Sequence, residues 1–275
     1  MPKEPKTGIL LTAFGSTRTA ARETYAAIDA EVARRYPELP RRWGYTSGFV
    51  RRRLAGSPAA MDSLPTALSR LLDDGVTDVA VQSIHVIAGG EFGQVTEQVD
   101  RFRYGRESFR RIAIGLPILA DRPTTERAMR AMLAEVADRQ ATDAVLLMGH
   151  GTTHHPGDLA YTAADAVLRR LDPRAMLATI EGYPTFAEAL AELRAREVLA
   201  VHLLPFVAVA GMHVHDDMAG AEPASWCSQL RAAGIEPRPS VRGCGDVPGI
   251  REIWYDHLAA ALGRLADTRD DTGDL

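Results

Sequence analysis

The segment Met148-Gly149-His150-Gly151 sets one imidazole between two glycines, directly after the apolar run Val145-Leu146-Leu147. Removing both flanking β-carbons lets the ring project freely and lets a ligand approach the backbone closely. Two later segments repeat the idea. Glu181-Gly182-Tyr183-Pro184 places a carboxylate before a glycine, and Ala210-Gly211-Met212-His213-Val214-His215-Asp216-Asp217 offers several side chains able to hold a metal. Two imidazoles and one carboxylate arriving from three separate loops make a facial set of ligands that leaves other coordination positions open. Open positions suit an ion that has to be passed on, whereas a closed four-ligand site would keep it. Each residue also has a plainer reading: His150 and His213 as hydrogen-bonded structural histidines, Glu181 as a cap at the positive end of the next helix. The three together favour ligation.

The remaining chemistry-bearing residues are weaker signals. His154, His155 and His215 are loop histidines whose contact would be with substrate or with incoming metal. His85, in Gln82-Ser83-Ile84-His85-Val86-Ile87, reads as a satisfied core histidine, with a substrate contact as its second reading. Asp216 and Asp217 suit the start of a helix, where negative charge meets the dipole. Arg51-Arg52-Arg53 is either a solvated helix face or a meeting point for the carboxylates of an anionic ligand, to which guanidinium makes paired hydrogen bonds. The turn Phe14-Gly15-Ser16-Thr17 lacks the lysine of a phosphate loop and the full dinucleotide fingerprint, so no nucleotide is expected.

These residues have to be positioned by something regular. Short runs rich in Ile, Leu and Val alternate with stretches of helical period, the pattern of a parallel sheet with crossover helices. Strands are predicted at 8–14, 41–46, 78–84, 111–115, 143–149, 175–181, 198–204 and 235–240. Between them Ala21, Tyr25, Ile28 and Val32 share one helix face, and Met129, Met132, Leu133 and Val136 share another. The chain also resembles itself. Ile9 to Ser16 matches Val145 to Thr152, and Tyr25 to Ala30 matches Tyr161 to Ala166, both at an offset of 136 residues. We read a duplicated four-stranded unit, giving an α/β protein of two similar domains, each a mainly parallel sheet flanked by helices. The halves are placed at 1–125 and 126–275, with a C-terminal helix free to pack back on the first. In open parallel sheets ligands bind beyond the carboxyl ends of the strands. Two such edges facing one another would form the cleft.

Composition excludes several classes. A formal net charge of −4 gives no electrostatic footprint for nucleic acid. Cys227 and Cys244, the two cysteines of the chain, are too few for a disulfide framework and too far apart for a paired-cysteine zinc site. They read as packing residues in a reducing compartment. The apolar run after the polar start is too short for a signal peptide, and the apolar stretch from Val198 to Met212 is broken by His202 and Pro205 before it reaches the ~18–20 residues of a membrane span. The expectation is a cytoplasmic protein with no membrane partner.

Taken together, Phe14-Gly15-Ser16, Val81-Gln82 with Ile84-His85-Val86-Ile87, Met148-Gly149-His150-Gly151, Glu181-Gly182, and Ala210-Gly211 followed by His213 and Asp217-Met218-Ala219-Gly220 resemble the class II chelatases. Within them they resemble the anaerobic-pathway cobalt chelatases that metallate sirohydrochlorin in cobalamin biosynthesis. The resemblance runs through nearly the whole chain and implies a chelatase-like fold of two similar domains with the site in the cleft. It implies that His150, Glu181 and His213 are cobalt ligands and that His150 accepts a proton. The implied partners are Co2+, or Fe2+ as in iron-inserting relatives, and a tetrapyrrole with eight carboxylates. That ring would give Arg51 a purpose, beside Phe14, Ser16, Thr17, His85 and His154 as substrate contacts. No prosthetic group is implied, and assembly into a homo-oligomer stays open. Met212, Val214 and His215 depart from the more polar neighbours typical of this loop. An iron chelatase for siroheme or heme, and a metal or tetrapyrrole carrier without turnover, are the competing expectations.

Overall fold

The computed structural model describes residues 5–104, 108–152 and 155–267, without the side chains of residues 155 and 156. The first half runs β1 (Thr7–Ala13), α1 (Thr19–Arg35), β2 (Arg41–Tyr45), α2 (Gly48–Leu54), α3 (Leu64–Asp73), β3 (Asp78–Ser83), α4 (Gly90–Tyr104) and β4 (Arg111–Gly115). After α5 (Arg122–Ala134) come β5 (Ala144–Gly151), α6 (His155–Leu171), β6 (Ala175–Glu181), α7 (Phe186–Ala195), β7 (Ala200–Phe206), α8 (Trp226–Ala232), β8 (Glu236–Pro239) and α9 (Pro248–Ala266).

The two sheets have the same order, β2-β1-β3-β4 and β6-β5-β7-β8, and each ladder is parallel. Central strands of such sheets are covered on both faces and read as unbroken apolar runs. That is why β3 is buried throughout and β5 is buried from Ala144 to Gly149. Alternate residues face opposite ways. Ile9, Leu11 and Ala13 join Val145 and Leu147 in a core shared by both halves and filled by α1, α5, α6 and α9, while Leu10 faces α3 and α4, and Leu146 and Met148 face α7 and α8. Cys227 and Cys244 are buried free thiols in these cores.

The long last helix crosses to the first sheet. Trp254, fully buried, donates from Nε1 to the carbonyl of His85, and Arg264 donates to that of Ile114. The self-resemblance has a structural counterpart as well. Gly15 and Gly151 both have positive φ (97° and 82°), and Tyr25 and Tyr161, ten residues after each, are both buried.

Most strand ends fall within one residue of expectation, and two strands depart by two. The seventh strand, expected at 198–204, is found at 200–206 and runs through Pro205. Ser240 donates to the Leu203 carbonyl, so the missing N–H of Pro205 faces that same side, where β8 has already ended and no ladder bond is lost. The fifth strand continues to Gly151, which puts His150 within the strand rather than after it. Among the described residues no helix is long and apolar enough to cross a membrane.

Candidate metal centre

The order β6-β5-β7 brings the three expected ligands to the ends of adjacent strands: Glu181 closes β6, His150 is next to last in β5, and His213 lies in the turn that follows β7. The two imidazoles meet edge to face, with centroids 4.8 Å apart and planes at 87°. Both are turned by their Nδ1 atoms. His150 Nδ1 lies 3.2 Å from the Gly151 carbonyl, and His213 Nδ1 lies 2.5 Å from Asp217 Oδ2. A carbonyl or carboxylate can only accept, so each Nδ1 carries the proton and each Nε2 keeps its lone pair. That tautomer and outer-shell partner are those of a metal-binding histidine. Asp217 has its carboxylate in reach because the chain forms a π-helical turn, Val214–Met218, closed by Ala219 N–H on the Val214 carbonyl. Such turns recur at functional sites. Asp216 and Asp217 therefore do lie in a helical turn, as expected, but Asp217 was missed as the partner of His213.

Glu181 is exposed and, among the described residues, its carboxylate has no hydrogen-bond or ion-pair partner. The plainer reading of Glu181 as a cap is overturned, since Thr185 caps α7 in a reciprocal box with Glu188. Among the described residues no three His, Cys, Asp or Glu side chains are yet gathered around a single point. The histidine pair is closed up, and Glu181 stands one strand away, with its backbone paired to that of Gly151.

The glycines around His150 have a different cause from the one expected. A β-carbon on Gly151 would lie 1.6 Å from the Glu181 carbonyl oxygen, and one on Gly149 would lie 2.7 Å from the Tyr161 ring. They let β6 and Tyr161 approach, and so fix where the imidazole starts.

The other predicted contacts are distributed around the two carboxyl edges. Phe14 is exposed just beyond β1, Ser16 is buried and accepts from Arg18 N–H, and Thr17 is exposed, its carbonyl taken by Arg22. Arg51 sits in α2, partly buried, with its Nε enclosed and unpartnered. Arg52 and Arg53 beside it are exposed. His154 and the side chain of His155 lie outside the described residues, and His215 is half-buried in the π-helical turn. His85 meets the satisfied-core expectation on one side only: Nδ1 bonds Ser83 Oγ at 2.7 Å, while Nε2 is enclosed without a partner. Burial pushes this imidazole down to about 4, so it is neutral at neutral pH.

The two edges face each other. Arg18, after β1, lies 3.7 Å from Asp216, after β7, and a β-carbon on Gly157 in α6 would lie 3.2 Å from Ile87, after β3. Exposed apolar side chains also collect at these edges: Phe14, Phe49, Tyr183 and Met212 follow β1, β2, β6 and β7. Of these four, Phe14 was expected as a substrate contact; Phe49, Tyr183 and Met212 were not, because single exposed apolar residues carry no signal until the fold lines them up. It also passed over Glu91, whose carboxylate starts α4 and accepts from Thr46 Oγ1 at 2.9 Å.

A duplicated α/β fold whose strand ends present an imidazole pair beside exposed apolar side chains is that of the chelatases. The solved structures similar to this one include SirB from Bacillus subtilis with Fe3+ (TM-score 0.65, 17% identity, 95% of this chain and 98% of that one). They also include CbiX, described as the terminal enzyme for biosynthesis of siroheme in denitrifying bacteria (TM-score 0.57, 18% identity, 92% of this chain and 99% of that one). The cobalt chelatase (CbiK) family matches residues 7–263, and the chain belongs to that family. Among its relatives are a sirohydrochlorin cobaltochelatase, CbiKC, of Nitratidesulfovibrio vulgaris, 40% identical over 263 residues (95% of this chain, 93% of the relative), and a sirohydrochlorin cobaltochelatase of Salmonella typhimurium, 31% identical over 259 residues (94% and 97%).

Proposed function

We propose that this chain inserts Co2+ into sirohydrochlorin, as part of anaerobic cobalamin biosynthesis in the cytoplasm, with His150, Glu181 and His213 as the residues that hold the ion. The observation that carries the reading is the imidazole pair with both Nδ1 atoms tied down and both Nε2 lone pairs left for an ion. The cobaltochelatase relatives at 40% and 31% identity support the substrate assignment. The division into halves 1–125 and 126–275 belongs to the same reading, supported by two sheets of one strand order.

Insertion requires two pyrrole protons to leave while the ion sheds solvent. The flat ring enters between the halves, its faces against Phe14, Tyr183 and Met212 and its carboxylates toward cations such as Arg51. Cobalt is held on Nε2 of His150 and His213, with the exposed Glu181 carboxylate swinging in to complete a facial set. An imidazole is a capable proton acceptor at neutral pH. As the ion passes from His150 to the ring nitrogens, the freed Nε2 of the exposed His150 takes up a pyrrole proton and hands it to water, once for each of the two protons. Positioning ring and ion together removes the entropy cost of their encounter. No prosthetic group takes part in these steps.

The test is multiple-turnover insertion with substoichiometric enzyme, Co2+ and Fe2+ being offered in parallel to sirohydrochlorin. Faster sustained turnover with cobalt is expected. Preference for iron would make the chain an iron chelatase, and a single stoichiometric burst would make it a carrier.

A further inference from the structure

One charged contact joins the loops of the two halves beside the histidines. Arg18 Nη2 lies 3.7 Å from Asp216 Oδ1. Among the described residues no other ion pair links strand-end loops of opposite halves, the remaining cross-half pair, Arg35 with Glu252, being between helices. The separation is too long for a good hydrogen bond. Both side chains are well exposed, at 41% and 58%, and a pair of that kind shifts an equilibrium by less than about fivefold. It is a poor brace for holding two halves together.

The base of Arg18 is firmly set, by contrast. Its N–H donates to Ser16 Oγ at 3.2 Å, while Arg22 reaches back to the Thr17 carbonyl at 2.5 Å and to the Thr19 hydroxyl at 3.1 Å. The backbone from which the guanidinium extends is thus fixed, on the same turn as the exposed Phe14, and the side chain reaches an anion it can release easily. Asp216 sits next to Asp217, whose own carboxylate is committed to His213.

We infer that Arg18 is a specificity-determining residue that exchanges Asp216 for a peripheral carboxylate of the macrocycle, so that the Arg18 to Asp216 pair is the resting form of a ring-recognition contact. This rests on the reading of the cleft as the site of a carboxylate-bearing tetrapyrrole. The exchange replaces one carboxylate with another on the same cation, and arginine suits it because its fork can take both oxygens of the incoming group. Ring binding also uncovers the charge of Asp216 three residues from His213, where a divalent cation is to be held.

The experiment compares Arg18→Ala, Arg18→Lys and Asp216→Asn in the full chain. Ring binding is read by absorbance titration with metal-free sirohydrochlorin, without cobalt, and wild-type turnover with cobalt is measured separately. Arg18→Ala weakens ring binding about tenfold, the size of a lost charge-assisted contact, and Arg18→Lys restores only part of it. Asp216→Asn, with the competing anion gone, tightens binding by up to about fivefold. With the ring carboxylates esterified, Arg18→Ala and wild type bind alike. If Arg18→Ala and Asp216→Asn both weaken binding, or neither changes it, the contact is structural and the inference is overturned. If the opposite shifts occur but the wild type gives no turnover with cobalt, the proposed insertion fails and the recognition contact stands.

Discussion

Asp217→Ala isolates the outer shell of the metal site from the site itself. Asp217 Oδ2 accepts from His213 Nδ1 at 2.5 Å, and the two side chains are 48% and 36% exposed. A hydrogen bond to a charged group contributes about 1.5–3 kcal/mol. Solvent screening at this exposure reduces the value to the lower end, so the loss is about 1.4 kcal/mol, a factor of ten in affinity. Removal of a carboxylate behind a metal-binding histidine has the same scale, about 10–100-fold. Cobalt affinity of Asp217→Ala, measured by competition with a chromophoric chelator, is therefore expected to fall about tenfold. Asp217→Asn keeps an acceptor oxygen without the charge and should fall between wild type and Ala. Melting temperatures of both should stay near wild type, since the pair is superficial. A folded Asp217→Ala that binds cobalt as tightly as wild type would refute the argument that this carboxylate orients a ligand.

Other outcomes follow from the same geometry. Gly151→Ala places its β-carbon 1.6 Å from the Glu181 carbonyl at a φ of 82°, so it should lower the melting temperature sharply and disturb the end of β6. Gly15→Ala has the same backbone strain, but its nearest atoms are side chains at 3.3–3.4 Å, so its cost should stay near the ~1–2 kcal/mol of the left-handed backbone alone. For His85, burial lowers the folded-state pKa to about 4 while the unfolded chain titrates near ~6.5. The unfolded state then binds more protons between those values, so the stability contribution is complete above the unfolded pKa and is lost as pH falls toward 4. His257 is also lowered by burial and acts with the same sign. Melting temperature against pH should show a slope in this window that flattens in His85→Gln; an unchanged slope would contradict the assignment.

The strands were legible because buried parallel strands are simple sequence objects: Ile9-Leu10-Leu11 and Val145-Leu146-Leu147 announce themselves, and the offset of 136 relates them. The seventh strand runs on through Pro205 because the β7–β8 ladder ends at Leu203 opposite Pro239, so no ladder bond depends on the N–H that proline lacks. Among the candidate residues, the meeting of His150 and His213 was foreseeable from strand-end logic. The role of Asp217 was not, because an aspartate four residues after a histidine becomes its partner only if the chain is helical there, and this turn is π-helical. The glycines of the Gly149-His150-Gly151 motif were noticed for the right reason of space but assigned to the wrong occupant: neighbouring chain and Tyr161 fill that space. Glu181 as a cap failed for an equally local cause, Thr185 being better placed to do that work.

The central claim is that one ion is held by three side chains at the ends of β5, β6 and the turn after β7. Diffraction from cobalt-soaked crystals, recorded on either side of the cobalt absorption edge, locates the ion directly. The account predicts a single strong anomalous peak about 2 Å from Nε2 of both His150 and His213, with a Glu181 carboxylate oxygen at similar range. A peak elsewhere, or one bound by either histidine through Nδ1, would contradict it.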